Sequence, residues 1–218
     1  MPTSLTVVLA EDSPLLREGV STVVESAGHR VVAAVGDADR LRDAVSAFRP
    51  DLVITDVRMP PTYTDEGLRV AADLRRTQPT LPVLLLSQYT SVAYLPELLD
   101  GPGSGGIGYL LKDRVAHVEH FTDAVAAIAG GRTIIDPDVV RALVSSTRRQ
   151  RELDALTERE HHVLAHMAQG LTNPQIAAAL TVSEAAVRKH VGNIFAKLPL
   201  AEGDRRVNAV LTYLRSGT

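Results

Sequence analysis

Five short apolar runs alternate with segments of helical periodicity over the first 130 residues, and this alternation constrains the fold more than any other feature. The runs are rich in Val, Ile and Leu and are bounded by turn residues, as is typical of buried strands. They span Leu5–Ala10, His29–Val35, Asp51–Asp56, Leu81–Ser87 and Ile107–Leu111. Strands that alternate with helices predict a flavodoxin-like, doubly wound, five-stranded parallel sheet. Right-handed crossovers then bring the carboxyl ends of the strands to one edge.

Amphipathic spacing predicts helices between these strands. The helix that begins at Pro14 ends at Gly28, and another runs from about Glu66 to Arg76. A helix capped by Asp37 and a helix from about 116 to 129 are expected to bury, respectively, Leu41, Ala44, Val45 and Phe48, and Val118, Phe121, Val125 and Ile128. The segment Ser91–Asp100 also has helical spacing, but Pro96 within it disfavours a regular helix.

Polar side chains follow the apolar runs at the predicted strand ends. Glu11 and Asp12 follow the first strand, Asp56 ends the third, Ser87 ends the fourth and Lys112 follows the fifth. Clustered carboxylates require a hard cation, and Mg²⁺ prefers oxygen ligands. Such a site would leave Asp56 ionised and able to attack phosphorus as a nucleophile. Lys112 could pair with phosphoryl oxygens, and Ser87 could hydrogen-bond to another.

Each of these residues also has an ordinary interpretation. A lysine after a strand is usually a solvated charge, a strand-end serine is usually a turn former, and an acidic pair before a helix favours the helix dipole. Their joint occurrence at successive strand ends of one sheet favours a site.

The pattern changes after Asp136, where helical signals replace strands. The segment 145–154 is polar and charged and is interpreted as a linker. Thr157 and Glu160 form a capping box at the start of a helix. Two further helices, joined by a tight turn at Thr181-Val182, indicate a helix-turn-helix within an all-α, four-helix unit. We therefore predict a first domain at 1–132, a linker with a possible helix at 133–154, and a DNA-binding domain at 155–218.

The charge distribution agrees with two domains that have different partners. The first 147 residues hold 13 Lys and Arg against 19 Asp and Glu, whereas the last 71 hold 10 against 7. A mildly basic C-terminal part that contains a helix-turn-helix predicts contact with double-stranded DNA.

The helix Glu184–Leu198 is the predicted DNA reader. Val187, Val191, Ile194 and Leu198 recur at helical spacing and are expected to be buried. The opposite face presents Arg188, Lys189, Gly192 and Asn193, and basic side chains there can reach guanine edges or phosphates. Further candidate contacts, each of which could equally be a solvated residue, are His190, Lys197, Asn173 and Gln175.

The first part of the chain resembles the receiver domain of two-component response regulators. The matching pieces are Glu11-Asp12, the segment 55–60 around Asp56, Ser87 and the segment 108–113. The resemblance implies Asp56 as phosphoacceptor, Glu11, Asp12 and Asp56 as Mg²⁺ ligands, and Ser87 and Lys112 as phosphoryl contacts. It also implies a sensor histidine kinase as phosphodonor and Tyr109 as a switch aromatic, although Tyr109 could equally be a tyrosine at the edge of the core.

Three features depart from that family. The loop after Met59 is longer, with residues 61–65 inserted before Glu66-Gly67, and could cover the site or change kinase access. Gln88 stands where the family more often has a small residue. Pro96 and the glycine-rich tract after it interrupt the expected fourth helix, which puts the family's usual dimer face in doubt.

The C-terminal part resembles the LuxR-type helix-turn-helix in the stretches 156–160 and 187–198. A receiver followed by such a domain is the order of the NarL/FixJ family. The last helix, Arg206–Arg215, is similar to the helix through which that family dimerises on DNA, so a homodimer is expected. Pro199 replaces the usual glycine and cannot adopt a positive φ.

These observations predict a DNA-binding transcription factor regulated by phosphorylation, and not a turnover enzyme. An alternative is an atypical receiver that is controlled by a ligand or by constitutive dimerisation. An Asp-nucleophile phosphatase is disfavoured because position 58 is Arg and not the second Asp. The absence of cysteine excludes disulfides and thiol catalysis. No apolar run is long enough to span a membrane and no basic leader begins the chain, so a cytoplasmic protein is expected.

Overall fold

The computed structural model describes residues 4–88, 104–200 and 202–214, without the side chains of Ser146 and Arg149. The possible helix at Ser91–Asp100, Pro96 within it and the first part of the glycine-rich tract lie outside these residues. The chain forms two compact units, 1–140 and 141–218.

The N-terminal unit is built on a parallel sheet with the strand order β2-β1-β3-β4-β5-β6. The strands are β1 (Thr6–Ala10), β2 (Arg30–Val35), β3 (Leu52–Asp56), β4 (Val83–Ser87), β5 (Ile107–Leu111) and β6 (Thr133–Ile135). Every residue of β3 and of β4 is buried. Strands covered on both faces need continuous apolar sequence, which explains why these two runs do not alternate with polar residues.

Helices cover this sheet as the spacing predicts. They are α1 (Pro14–Ser26), α2 (Ala38–Phe48), α3 (Glu66–Thr77) and α4 (Val118–Ala129), with a 3₁₀ helix at Lys112–Ala116 before α4. Asp37 caps α2 by accepting a hydrogen bond from the Arg40 N–H at 2.8 Å. The helix predicted from about 116 to 129 begins at Val118, two residues after the 3₁₀ helix ends.

Two of the predicted core residues are exposed. Phe48 is 53% exposed and Val118 is 45% exposed, so the prediction that they are buried was wrong. Phe48 is the last residue of α2 and Val118 is the first of α4. Periodicity assigns residues to a helix face, but it does not show where the terminal turn of a helix leaves the sheet.

The sheet has a sixth strand, whereas the sequence predicted five. Residues 133–135 form β6 and pair with β5 in parallel, with Thr133 opposite Ile107. Three residues are too short a run to be recognised by their periodicity. The polar segment interpreted as a linker is helical, because α5 runs from Pro137 to Asp154. The boundaries 1–132, 133–154 and 155–218 remain a prediction.

The C-terminal unit contains α6 (Glu158–Ala168), α7 (Asn173–Leu180), α8 (Glu184–Lys197) and α9 (Arg205–Leu214). The predicted capping box is present at α6: Glu160 N–H donates to Thr157 Oγ1, and Thr157 N–H donates to Glu160 Oε2 at 2.8 Å. The turn between α7 and α8 passes through Thr181, which has a φ of 54°. One apolar core joins these helices and includes Leu153, Val163, Leu164, Ile176, Val187 and Ile194.

Each helix that the structure describes is too short or too polar to cross a membrane.

Candidate functional site

Asp56 lies at the carboxyl end of β3, a strand between β1 and β4 in the sheet. Its side chain is 6% exposed. The Oδ2 atom accepts a hydrogen bond from Lys112 Nζ at 2.8 Å, and Oδ1 accepts one from the Arg58 backbone N–H at 3.2 Å. Burial raises the pKa of this carboxyl, while the bonds from Lys112 and Arg58 act against that rise.

Glu11 and Asp12 follow β1 directly and face Asp56. Glu11 is fully buried, and its Oε1 accepts hydrogen bonds from Lys112 Nζ at 2.9 Å and from Ser13 N–H at 3.2 Å. Burial raises the pKa of Glu11. Each of the three carboxyl groups offers an oxygen within 4.8 Å of the other two. This is a set of hard oxygen donors of the kind that holds a divalent cation.

Lys112 follows β5 and places its ammonium between Asp56 and Glu11. The Nζ atom is 2.8 Å from Asp56 Oδ2 and 2.7 Å from Glu11 Oε2. Burial by itself lowers the pKa of this lysine, but hydrogen bonds to the two carboxylates outweigh that effect and raise it. The lysine is therefore charged and partly neutralises the acidic cluster.

Ser87 and Tyr109 form a buried pair beside this cluster. Ser87 ends β4 and is 2% exposed, and Tyr109 on the neighbouring β5 is 1% exposed. Burial raises the pKa of Tyr109, and its side-chain hydrogen bond with Ser87 lowers it. The structure thus brings the predicted serine and tyrosine together as buried neighbours on adjacent strands.

A cleft of about 360 Å³ opens above the carboxylates. Its lining consists of Glu11, Asp12, Ser13, Leu16, Asp56, Arg58, Tyr63, Gln88 and Lys112. The sequence indicated that the long loop after Met59 could cover the site or change kinase access, but it did not identify Tyr63 as part of the lining. It also missed Gly67, where a Cβ atom would lie 1.7 Å from the Asp56 carbonyl oxygen. A glycine directly after the loop was the available signal.

Helix α8, the predicted DNA reader, has the two faces that its spacing predicts. Val187, Val191 and Ile194 are buried, and Leu198, which directly follows the helix, is 4% exposed. The exposed residues of the opposite face are Arg188, Lys189, Gly192 and Asn193. Arg188 forms an ion pair with Glu184 one turn earlier. Nothing lies within 4 Å of a Cβ atom built on Gly192, so this surface is open.

The other predicted DNA contacts have partners within the protein or are partly covered. Lys197 Nζ lies 2.6 Å from Glu160 Oε2, and Gln175 Oε1 accepts from Thr172 N–H at 2.8 Å in a capping box. Asn173 Oδ1 accepts from Arg206 Nη1 at 3.0 Å. His190 is half-buried.

Comparison with known proteins agrees with both units. Residues 7–126 match the family described as the response regulator receiver domain, and residues 154–211 match the bacterial regulatory proteins of the luxR family. The chain is 32% identical to the transcriptional regulatory protein YxjL of Bacillus subtilis, over 97% of this chain and 95% of that protein. It is also 32% identical to the nitrate/nitrite response regulator NarP of Escherichia coli, over 98% and 96%.

Among solved structures, the two-component response regulator RcsB in complex with DNA is 25% identical. The match covers 99% of this chain and 100% of that one, with a TM-score of 0.63. A parallel sheet with clustered carboxylates at its strand ends, followed by a helix-turn-helix unit, defines the class of regulators that join a receiver to a DNA-binding module. The chain belongs to the two-component response regulators with a LuxR-type helix-turn-helix, the NarL/FixJ family.

Proposed function

We propose that this protein is a transcription factor whose binding to promoter DNA is controlled by phosphorylation of Asp56. The observation that carries the proposal is the placement of the Asp56 carboxylate. It lies at a strand end, lines the cleft and accepts a hydrogen bond from Lys112. The phosphodonor is a phosphorylated histidine of a sensor kinase. To reach that donor, this protein is cytoplasmic. The chain is a regulator in this account and not a turnover enzyme.

In the proposed step, a carboxylate oxygen of Asp56 attacks phosphorus in line. A bond forms between that oxygen and phosphorus, the bond from phosphorus to the donor nitrogen breaks, and the imidazole leaves with the electron pair. Lys112, now 2.8 Å from Asp56 Oδ2, is placed to pair with a phosphoryl oxygen. The Arg58 N–H, which bonds to Oδ1, orients the carboxylate.

Glu11, Asp12 and Asp56 fit a Mg²⁺ ion, because their carboxylate oxygens converge within 4.8 Å. Such an ion supplies positive charge beside the transferred phosphoryl group.

Ser87 and Tyr109 are proposed to report the phosphorylation. The two side chains are buried on adjacent strands, and Ser87 interacts with the Tyr109 phenol. A phosphoryl group on Asp56 offers strong acceptor oxygens to the Ser87 hydroxyl. When Ser87 turns towards them it leaves Tyr109, and the tyrosine then takes a new rotamer. This is a local change of packing that can alter a surface of the N-terminal unit.

Arg188, Lys189, Gly192 and Asn193 are proposed to read the major groove, since they form the exposed face of α8. His190, Lys197, Asn173 and Gln175 are proposed as supporting contacts near the phosphates. Dimerisation places two such helices on adjacent half-sites, so affinity rises steeply when phosphorylation favours the dimer.

The test combines labelling and binding. Purified protein is incubated with acetyl phosphate and Mg²⁺, and bound fragments are selected from genomic DNA with and without that donor. We expect labelling that is lost in Asp56→Asn, together with a donor-dependent gain in DNA affinity. If Asp56→Asn labels and binds as the wild type does, the proposal is wrong. DNA binding that is indifferent to the donor would instead indicate an atypical receiver.

A further inference from the structure

The loop between β3 and α3 places an aromatic side chain at the mouth of the cleft above Asp56. Tyr63 lines this cleft together with Arg58 and Gln88, and it is 54% exposed. Its φ of 58° lies in the left-handed region. A bulky residue in that region costs roughly 1–2 kcal/mol, which glycine would avoid. A tyrosine at such a position calls for an explanation.

Three sets of contacts hold Tyr63 in this conformation. The backbone N–H groups of Thr62 and Thr64 both donate to the Glu66 carboxylate at 3.0 Å, so the residues on either side of Tyr63 are fixed to the start of α3. The Thr62 hydroxyl donates to the same carboxylate. Tyr63 N–H itself donates to the carbonyl of Met59, a fully buried residue, at 3.1 Å. These contacts fix the backbone of the loop at Tyr63 and on both sides of it.

We propose that the ring of Tyr63 screens the phosphorylated Asp56 from water and from small phosphodonors. This inference rests on the proposed phosphorylation of Asp56. In hydrolysis, a water oxygen attacks phosphorus, the bond from phosphorus to the Asp56 oxygen breaks, and inorganic phosphate and the carboxylate are released with a proton. The ring at the cleft mouth restricts the approach of that water.

The screening belongs to the ring and not to the hydroxyl group. The backbone bonds that place Tyr63 come from Thr62, Thr64 and Tyr63 N–H. They do not depend on the nature of the Tyr63 side chain. Tyr63→Phe should therefore keep the screen, whereas Tyr63→Gly and Tyr63→Asn remove the ring at a backbone position that both residues tolerate.

The experiment measures the lifetime of the phosphorylated full chain. Wild type, Tyr63→Phe, Tyr63→Gly and Tyr63→Asn are labelled with radioactive acetyl phosphate and Mg²⁺, freed of donor, and followed by loss of label. We expect Tyr63→Gly and Tyr63→Asn to lose phosphate and to accept label about three- to tenfold faster, which corresponds to about 0.7–1.4 kcal/mol of barrier. Tyr63→Phe should match the wild type. Thermal unfolding of each variant controls for stability, which Tyr63→Gly should preserve or increase.

Glu66→Ala tests separately the clamp that the Glu66 carboxylate forms with the N–H groups of Thr62 and Thr64. It should accelerate loss of label because Thr62 and Thr64 are released. Equal lifetimes of wild type and Tyr63→Gly would overturn the inference while leaving Asp56 as phosphoacceptor. Faster loss in Tyr63→Phe would overturn the role of the ring, and a Glu66→Ala lifetime equal to wild type would contradict the clamp. If the wild type takes no label that depends on Asp56, the proposed function fails instead.

Discussion

Gly67 offers a sharp test of how the fold supports the site. Gly67 is the second residue of α3, and its N–H donates to the Val57 carbonyl at 3.0 Å. A Cβ atom there would lie 1.7 Å from the Asp56 carbonyl oxygen and 2.8 Å from Thr55 Oγ1. The first of these neighbours is backbone and cannot rotate away, so Gly67→Ala must push α3 away from the end of β3.

The magnitude follows from two opposed effects. Alanine in place of glycine stabilises a helix by up to about 1 kcal/mol. Overpacking in a close-packed interior costs about 1–3 kcal/mol, and a contact with rigid backbone belongs at the upper end. We expect Gly67→Ala to lower the free energy of unfolding by about 2 kcal/mol. Because the atom that the new Cβ presses on belongs to Asp56, labelling by acetyl phosphate should also fall, by as much as about 10²-fold if the site shifts by 1 Å.

Gly19→Ala is the matched control. Gly19 also lies within a helix, α1, but nothing lies within 4 Å of a Cβ atom built on it. The same substitution there should raise stability by up to about 1 kcal/mol and leave labelling unchanged. Calorimetry and the labelling assay measure both variants. A Gly67→Ala protein that is as stable as Gly19→Ala and labels normally would refute the reasoning.

Three further predictions concern the C-terminal unit. Burial opposes the ionisation of Glu160, but hydrogen bonds from Lys197 and Thr157 outweigh it and hold the pKa of this carboxyl at about 2, below its ordinary 4.5. The ionised Glu160 should therefore stabilise the fold above pH 4.5, and this contribution should be lost as the pH falls towards 2. Lys197→Met should remove most of this contribution in acid titrations followed by circular dichroism. Arg206→Lys should weaken DNA binding about two- to tenfold. One ammonium cannot replace the two hydrogen bonds that the Arg206 guanidinium donates to Asn173 Oδ1 and to the Leu171 carbonyl, and these bonds hold Asn173, a proposed DNA contact. Lys189→Ala should reduce the slope of log affinity against log salt by about 1 if Lys189 contacts phosphate.

The strand framework of the N-terminal unit was predictable because buried parallel strands need uninterrupted apolar sequence. That same rule located Glu11, Asp56 and Lys112, since a charged residue ends or follows the first, third and fifth runs where the strand leaves the core. The sequence could not show the length of β6, which has three residues. Nor could it show that Phe48 and Val118 are exposed, because both lie at the ends of their helices.

The parts of the site that escaped prediction depend on contacts between distant residues. The carbonyl of Asp56 excludes a Cβ atom at Gly67, and the Glu66 carboxylate organises the loop that carries Tyr63. Neither contact produces a periodic pattern in the sequence that could predict it. Lys197 shows the converse case, since its place on the proposed DNA-reader helix predicts a phosphate contact, while the fold pairs its ammonium with Glu160 at 2.6 Å.

The central claim is that the state of Asp56 controls binding to DNA. The most direct measurement is the affinity of the full chain for a genomic fragment that it selects, with and without acetyl phosphate and Mg²⁺, for wild type and Asp56→Asn. We predict that the donor tightens binding by the wild type and has no effect on Asp56→Asn. Equal tightening of both proteins, or of neither while the wild type is fully labelled, would contradict the account.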